Sequence, residues 1–208
     1  MDSAFLITAF ATLFVVIDPV GLTPMFIALT TGTDARHRRS VALRSCLIAF
    51  TLLTLFAFFG EAVLGFIGIS MPAFRIAGGI LLFLTALDML FERRTKRRED
   101  QTETEDFPDP SVFPIAIPLI AGPGSIASII LLTGQADGAL AMASVLGVMA
   151  AVLVIVLALF LSAGLIERAL GKTGITVVTR LLGMLLAALS VQFVLDGLRA
   201  FGFAASAG

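Results

Sequence analysis

Two long apolar runs in this chain are each interrupted by a pair of prolines. The prolines are five residues apart in both runs: Pro19 and Pro24 in residues 5–30, and Pro118 and Pro123 in residues 113–133. A helical proline has no amide donor, so the carbonyl one turn earlier loses its usual partner. In hydrocarbon such a group survives only where it is buried in protein or lines a watery cavity. The pattern therefore predicts two broken membrane helices in corresponding positions, which is typical of a transport site.

The composition indicates a protein of the lipid bilayer. Hydrophobic residues make up 58% of the 208 and charged residues only 14%, with a mean hydropathy of +1.04, whereas about 25% of a soluble domain is charged. A helical crossing needs about 20 apolar residues. Six segments meet that length: residues 5–30, 46–67, 71–91, 113–133, 139–166 and 180–198. The continuous runs exclude the alternating pattern of a β-barrel, so we expect an all-α membrane protein with six transmembrane helices.

The basic residues fall on one side of these crossings. Of the 14 Lys and Arg residues, 12 lie in or next to the first, third and fifth loops, which share one side of the membrane. Only Arg75 and Arg199 lie on the other side. Because Lys and Arg concentrate in cytoplasmic loops, we expect both termini to lie outside the cytoplasm. The net charge of −1 gives no argument for binding nucleic acid.

The two halves of the chain resemble each other weakly. An offset of 99 residues superposes the proline pairs, and an offset of 105 superposes Gly78 on Gly183. Each half has three crossings, so the second copy enters the membrane in the opposite direction, which makes a 3+3 inverted repeat. We expect a first repeat in residues 1–92, a charged cytoplasmic linker in 93–110 and a second repeat in 111–208, with the first and fourth helices broken at their prolines.

Asp18 lies about halfway along the first apolar run. An ionisable group near the bilayer centre is costly unless it is paired or hydrated, so it indicates a function. Asp is also a good N-cap and proline is favoured at the first helical position, so Asp18 is equally suited to begin a half-helix at Pro19. Asp18 can have both roles at once: it can contact a substrate, a cation or a proton, and it can cap the half-helix.

The second interruption is neutral and rich in small residues, Ala121-Gly122-Pro123-Gly124-Ser125. If a half-helix begins at Ser125, its exposed amides favour an anion, whereas Asp18 favours a cation. We therefore hypothesise that a zwitterion spans the two interruptions, with its ammonium near Asp18 and its carboxylate near Gly122, Gly124 and Ser125. A kink that only allows close helix packing explains the second interruption equally well.

The candidate site residues cluster in the two interruptions. For substrate binding they are Asp18, Pro19, Gly21, Thr23, Pro24, Gly122, Pro123, Gly124 and Ser125, and for the path to the site Ser128 and Gln192. Membrane hydroxyls often bond their own backbone, and Gln192 is as well suited to an interhelical hydrogen bond. With one cysteine and one histidine, the sequence offers no plausible metal site, and we expect no cofactor.

Two motifs, FVVIDPVGLTP at residues 14–24 and PLIAGPGS at residues 118–125, resemble the MarC family of bacterial inner-membrane proteins. The resemblance covers essentially the whole chain, including the charged centre. It implies a location in the inner membrane and a relation to the wider superfamily of amino-acid exporters, in which neutral amino-acid transporters handle glycine and alanine.

The sequence and the resemblance together favour a transporter of small neutral amino acids that works by alternating access at the two interruptions. The alternatives are an ion or proton channel, an exporter of other small molecules including drugs, and a structural or regulatory membrane subunit. We do not expect an enzyme, because no nucleophile with a base and no second carboxylate accompanies Asp18 at mid-depth. The expected partners are a zwitterionic substrate, a coupling H⁺ or Na⁺, and the lipid bilayer; a homo-oligomer would also be compatible with so small a bundle.

Overall fold

The computed structural model describes residues 3–91, 109–136 and 138–202, and of residues 166–168 and 172 the backbone alone. Within these ranges the chain is helical and contains no strand. The helical elements are α1 (Ser3–Ile17), α2 (Pro19–Leu29), α3 (Ala35–Ile67), α4 (Met71–Leu90), α5 (Ser111–Ile120), α6 (Pro123–Thr133), α7 (Ala139–Leu161) and α8 (Ala163–Ala200). Most of the expected linker, residues 93–110, lies outside the described residues.

Five helical stretches are long and apolar enough to cross a membrane: Ser3–Leu29, Ala35–Ile67, Met71–Leu90, Ala139–Leu161 and Thr173–Ala200. The first combines α1 and α2. A sixth crossing results if α5 and α6, which meet at an angle of 56°, count as one span. The described residues therefore contain five to six candidate spans, in agreement with the expected all-helical membrane architecture.

Helix α3 is longer than its apolar run suggested. It has 33 residues and begins at Ala35 rather than near Cys46, because Asp34 caps it: the Asp34 carboxylate accepts a hydrogen bond from the His37 amide at 2.7 Å. Nothing in residues 35–45 interrupts a helix, so the polar turns continue the apolar ones. Hydropathy locates only the part of a helix that is apolar, and the basic residues of this region consequently lie on α3 itself.

Glycines allow α4 and α8 to pack closely in antiparallel directions. A Cβ atom on Gly79 would lie 2.8 Å from the carbonyl oxygen of Ser190, and one on Gly183 would lie 3.2 Å from the carbonyl oxygen of Ala86. A larger side chain at either glycine would meet the backbone of the other helix. Gly79 and Gly183 are therefore points of close approach that glycine permits between these two helices.

Helices α1 and α2 lie inside the bundle. Residues of both helices, among them Ile17 and Phe26, belong to one buried core cluster, and Val16 belongs to a second. The Phe26 ring stacks on Phe160 of α7, with centroids 4.3 Å apart and an interplanar angle of 5°. The junction between α1 and α2 is therefore enclosed by protein, as an irregular backbone at membrane depth requires.

Candidate functional site

Asp18 is the single residue that separates α1 from α2. It is fully buried, and its backbone has φ 56° and ψ 64°, a left-handed conformation that few residues other than glycine adopt. Its Oδ1 accepts a hydrogen bond from the Gly21 amide at 3.0 Å. Its own amide donates to the Phe14 carbonyl at 2.9 Å, and its carbonyl accepts from the Leu22 amide at 3.0 Å. The prediction that Asp18 caps a half-helix is confirmed.

Gly21 provides the space for the Asp18 carboxylate. A Cβ atom at this position would overlap Oδ2 of Asp18 and would lie 3.0 Å from Oδ1. The carboxylate is folded back over the first turn of α2, where the amides and the positive end of the helix dipole stabilise its charge. Gly21 was predicted as a substrate-binding residue, and the structure gives it this direct steric role at the cap.

The segment α5 is an irregular coil of wide turns rather than a regular helix. Phe113 and Ile117 have extended backbones, with φ/ψ of −129°/128° and −128°/122°. Each precedes a proline, and a proline disfavours helical geometry in the residue before it. The fourth span therefore differs from the expectation of two half-helices joined at a break, since only its second half, α6, is a regular helix.

Helix α6 begins at Pro123, two residues earlier than predicted, with Gly122 at its N-cap and no side chain capping it. The Ser125 hydroxyl donates to the carbonyl of Ile120 across the break at 2.8 Å. As the second and third residues of α6, Gly124 and Ser125 have backbone amides with no acceptor inside their own helix. Both residues are buried, so two donors at the positive end of a helix face the interior of the bundle.

The start of α6 packs against the last turn of α1. A Cβ atom on Gly124 would lie 3.1 Å from Cγ1 of Val16 and 3.7 Å from the hydroxyl oxygen of Thr85 on α4. Val16 is two residues before Asp18, and Gly124 is two residues after Gly122. This contact brings Gly124 of the second interruption to the last turn of α1, where α1, α4 and α6 meet.

Two buried hydroxyls lie one helical turn from this contact. Thr12 precedes Val16 by four residues, and Ser128 follows Gly124 by four, so each is on the contacting face of its helix. Both are 0% exposed, and neither hydroxyl has a hydrogen-bond partner among the described residues. By contrast, the Thr23 hydroxyl bonds back to its own helix. A buried polar atom without a partner is typical of a place that a water or a ligand occupies.

Some predicted residues have other roles. Pro24 lies inside α2 and does not end it, so the first interruption is at Asp18 and Pro19 alone. Gln192 is exposed on α8 and donates to the Asp196 carboxylate at 2.8 Å, so the structure does not bring it to the junction.

Two residues near the contact, Thr12 and Thr85, were not predicted from the sequence. A search for hydroxyls near the middle of apolar runs, one or two turns from an interruption, would have found Thr12.

The polar groups on the segments that meet here are the Asp18 carboxylate, the amides at the start of α6 and buried hydroxyls. Among residues 3–91, 109–136 and 138–202, no group of three or more His, Cys, Asp or Glu side chains could hold a metal ion. Amides, hydroxyls and one acid can bind and release a small polar molecule by hydrogen bonds and charge.

Comparisons with known proteins agree with the motifs. The chain matches the model of the "MarC family integral membrane protein" over residues 3–201. It is 38% identical to a UPF0056 membrane protein of Archaeoglobus fulgidus, covering 94% of this chain and 92% of the relative. It is 34% identical to the UPF0056 membrane protein YvbG of Bacillus subtilis, covering 96% of each chain, and 32% identical to the UPF0056 inner membrane protein YhgN of Escherichia coli K12, covering 93% and 96%. No solved structure matches the chain. The family resemblance inferred from the two motifs is confirmed, and the chain belongs to the MarC family of integral membrane proteins.

Proposed function

We propose that this protein transports small neutral amino acids, of the size of glycine and alanine, and that they bind where the two interruptions meet. The observation that carries the proposal is the packing of Gly124 against Val16. This contact supports the proposal because it joins the N-terminal end of α6 to the C-terminal end of α1, two residues before Asp18. Matched irregular segments with half-helix ends at mid-depth are the usual substrate site of transporters.

The charges at the junction favour a zwitterion. The amides of Gly124 and Ser125, at the N-terminal end of α6, suit a carboxylate. The carboxylate of Asp18 and the carbonyls at the C-terminal end of α1 suit an ammonium group. The close approach of Val16 and Thr85 to Gly124 leaves little room for a large side chain, which supports a small substrate over a bulky drug.

Alternating access follows if the molecule is an inverted repeat, with α1–α4 as one copy and α5–α8 as the other. The reciprocal contacts of α4 and α8 support this: Gly79 of the first half faces the backbone of α8, and Gly183 of the second faces the backbone of α4. One copy would rock against the other about the junction.

We place the protein in the inner membrane, as the name of the relative YhgN states for that protein. Both termini would lie outside the cytoplasm, and H⁺ or Na⁺ would be the coupling ion.

The decisive experiment is counterflow of labelled glycine and alanine in proteoliposomes. Asp18→Asn keeps a good N-cap but removes the charge, whereas Asp18→Ala removes both. We expect saturable exchange in the wild type, loss of exchange in both variants, and normal exchange in Gln192→Ala, which alters a polar side chain remote from the junction. Exchange that survives Asp18→Asn would restrict Asp18 to capping. A folded wild type that conducts ions but exchanges no amino acid would refute the carrier in favour of the channel alternative.

A further inference from the structure

An apolar groove runs between α3 and α7. Its volume is about 360 Å³, within the range of about 300–1,000 Å³ for ligand-binding clefts. Nine residues line it: Leu43, Arg44, Cys46, Leu47, Phe50, Ala150, Leu153, Val154 and Leu157. All but Arg44 present apolar or weakly polar side chains, so the groove suits a hydrocarbon chain.

One end of this groove is strongly basic. Leu43, Leu47 and Phe50 are three or four residues apart and form one stripe along α3. Toward the start of the helix the same stripe reaches Arg39 and Arg36, four and seven residues before Leu43, and both are exposed. Arg44, whose side chain is 64% exposed, is in the lining of the groove itself. The groove thus joins an apolar trough to three guanidinium groups.

We propose that the groove binds one anionic phospholipid, with an acyl chain in the trough and the phosphate at Arg39 and Arg44. Guanidinium groups bind phosphate oxygens in a bidentate manner, and basic pockets between membrane helices select anionic head groups. A zwitterionic lipid fills the trough equally well but gains less from the basic end. The groove therefore prefers the anionic lipid, and this preference does not depend on the proposed transport activity.

Arg44 also connects the groove to the start of α5. Its guanidinium donates to Oδ2 of Asp109 at 3.2 Å. Oδ1 of Asp109 accepts hydrogen bonds from the amide and the hydroxyl of Ser111, at 3.0 and 2.6 Å. The ion pair is exposed on both sides and therefore weak, so a phosphate can draw Arg44 from Asp109. The bound lipid thereby releases one of the contacts that hold the segment leading to the second interruption.

The chain contains no Trp and no Tyr, so the fluorescence of one introduced tryptophan can be measured without background from other residues of these types. Phe50→Trp places a single fluorophore in the groove, and brominated phospholipids quench it on contact. The control is Phe83→Trp, which reports an exposed site on α4. The bilayers contain phosphatidylcholine with increasing amounts of brominated phosphatidylglycerol. We expect the groove to prefer phosphatidylglycerol over phosphatidylcholine by about fivefold for each guanidinium that contacts the phosphate. The control should show no preference.

The triple variant Arg36→Gln, Arg39→Gln, Arg44→Gln in the Phe50→Trp background should abolish the preference. Arg199→Gln, which removes an exposed arginine of α8 that pairs with Asp196, should retain it. The proposal would be overturned if brominated phosphatidylglycerol and brominated phosphatidylcholine quenched the Phe50→Trp protein equally. It would also be overturned if the Phe83→Trp control showed the same preference. If the triple variant fails to fold, the comparison of the two single-tryptophan proteins decides alone. Quenching by neither lipid would also overturn it, because another occupant, such as a protein segment, would then fill the groove.

Discussion

Replacing Gly21 by alanine tests the account of the Asp18 cap most directly. Alanine is the better helix former by about 1 kcal/mol, so at an unconstrained position the change would stabilise the protein. At Gly21, however, the new Cβ atom would overlap the Asp18 carboxylate. The carboxylate must move and lose its bond to the Gly21 amide, which costs about 0.5–2 kcal/mol for the cap alone.

Displacing a buried charged group adds a desolvation cost of about 1–3 kcal/mol or more. After subtraction of the gain in helix propensity, we expect Gly21→Ala to lower the free energy of unfolding by about 2 kcal/mol. The matched control is Gly147→Ala on α7, where a Cβ atom meets nothing within 4 Å. That variant should be stabilised by up to about 1 kcal/mol.

The assay is reversible unfolding in mixed detergent micelles, followed by far-ultraviolet circular dichroism. A double-mutant cycle isolates the contact, because Asp18→Ser retains a cap with a shorter side chain. In the Asp18→Ser background, Gly21→Ala should cost at least about 1 kcal/mol less than in the wild type. The reasoning is refuted if Gly21→Ala is as stabilising as Gly147→Ala, or if its cost is the same in both backgrounds.

Three further predictions concern the packing, the junction and the start of α5. Gly79→Leu should destabilise the protein by about 3 kcal/mol, since its side chain would meet the backbone of α8; the unfolding assay above measures this. Ser128→Ala removes a buried hydroxyl that has no partner in the described residues, so it should leave stability unchanged or slightly raised while lowering the rate of glycine counterflow; an unchanged rate would remove Ser128 from the site. Hydrogen bonds from the Ser111 hydroxyl and amide hold the pKa of Asp109 below its ordinary 3.8, so this carboxylate stabilises the fold above that pH and loses its contribution as the pH falls through the lowered pKa. Ser111→Ala should raise the pKa of Asp109 toward 3.8, and carboxyl ¹³C NMR of aspartate-labelled protein should detect the change.

The local structure at Asp18 could be predicted in part. An aspartate directly before a proline combines a good N-cap with a favoured first helical residue. The structure has both features, with Asp18 as the N-cap of α2 and Pro19 as its first residue. Its left-handed backbone could not be predicted, because the packing of α1 and α2 inside the bundle decides it. Pro24 was expected to break the helix like Pro19, yet α2 continues through it. Enclosure by neighbouring helices makes an interrupted hydrogen-bond ladder tolerable in a membrane protein.

The second interruption was less predictable. Pro118 and Pro123 were expected to break this span, but Pro114 also lies in it, and the residues before Pro114 and Pro118 both adopt extended backbones. Two prolines four residues apart leave too few amide donors for a helix, which explains why α5 is irregular where α1 is regular. The partners of the junction, such as Thr85 beside Gly124, depend on how α4 packs, and no spacing in the sequence specifies that.

The length of α3 determines how far it extends from the bilayer. Its 33 residues correspond to about 50 Å at about 1.5 Å per residue, whereas the hydrocarbon core is about 30 Å thick. Even a tilt of about 40°, the upper end of the usual range, leaves about 8 Å, more than one turn, outside the core. The basic end of α3 is therefore a rigid arm beyond the hydrocarbon core, and there its Arg44 meets the start of α5 through the ion pair with Asp109.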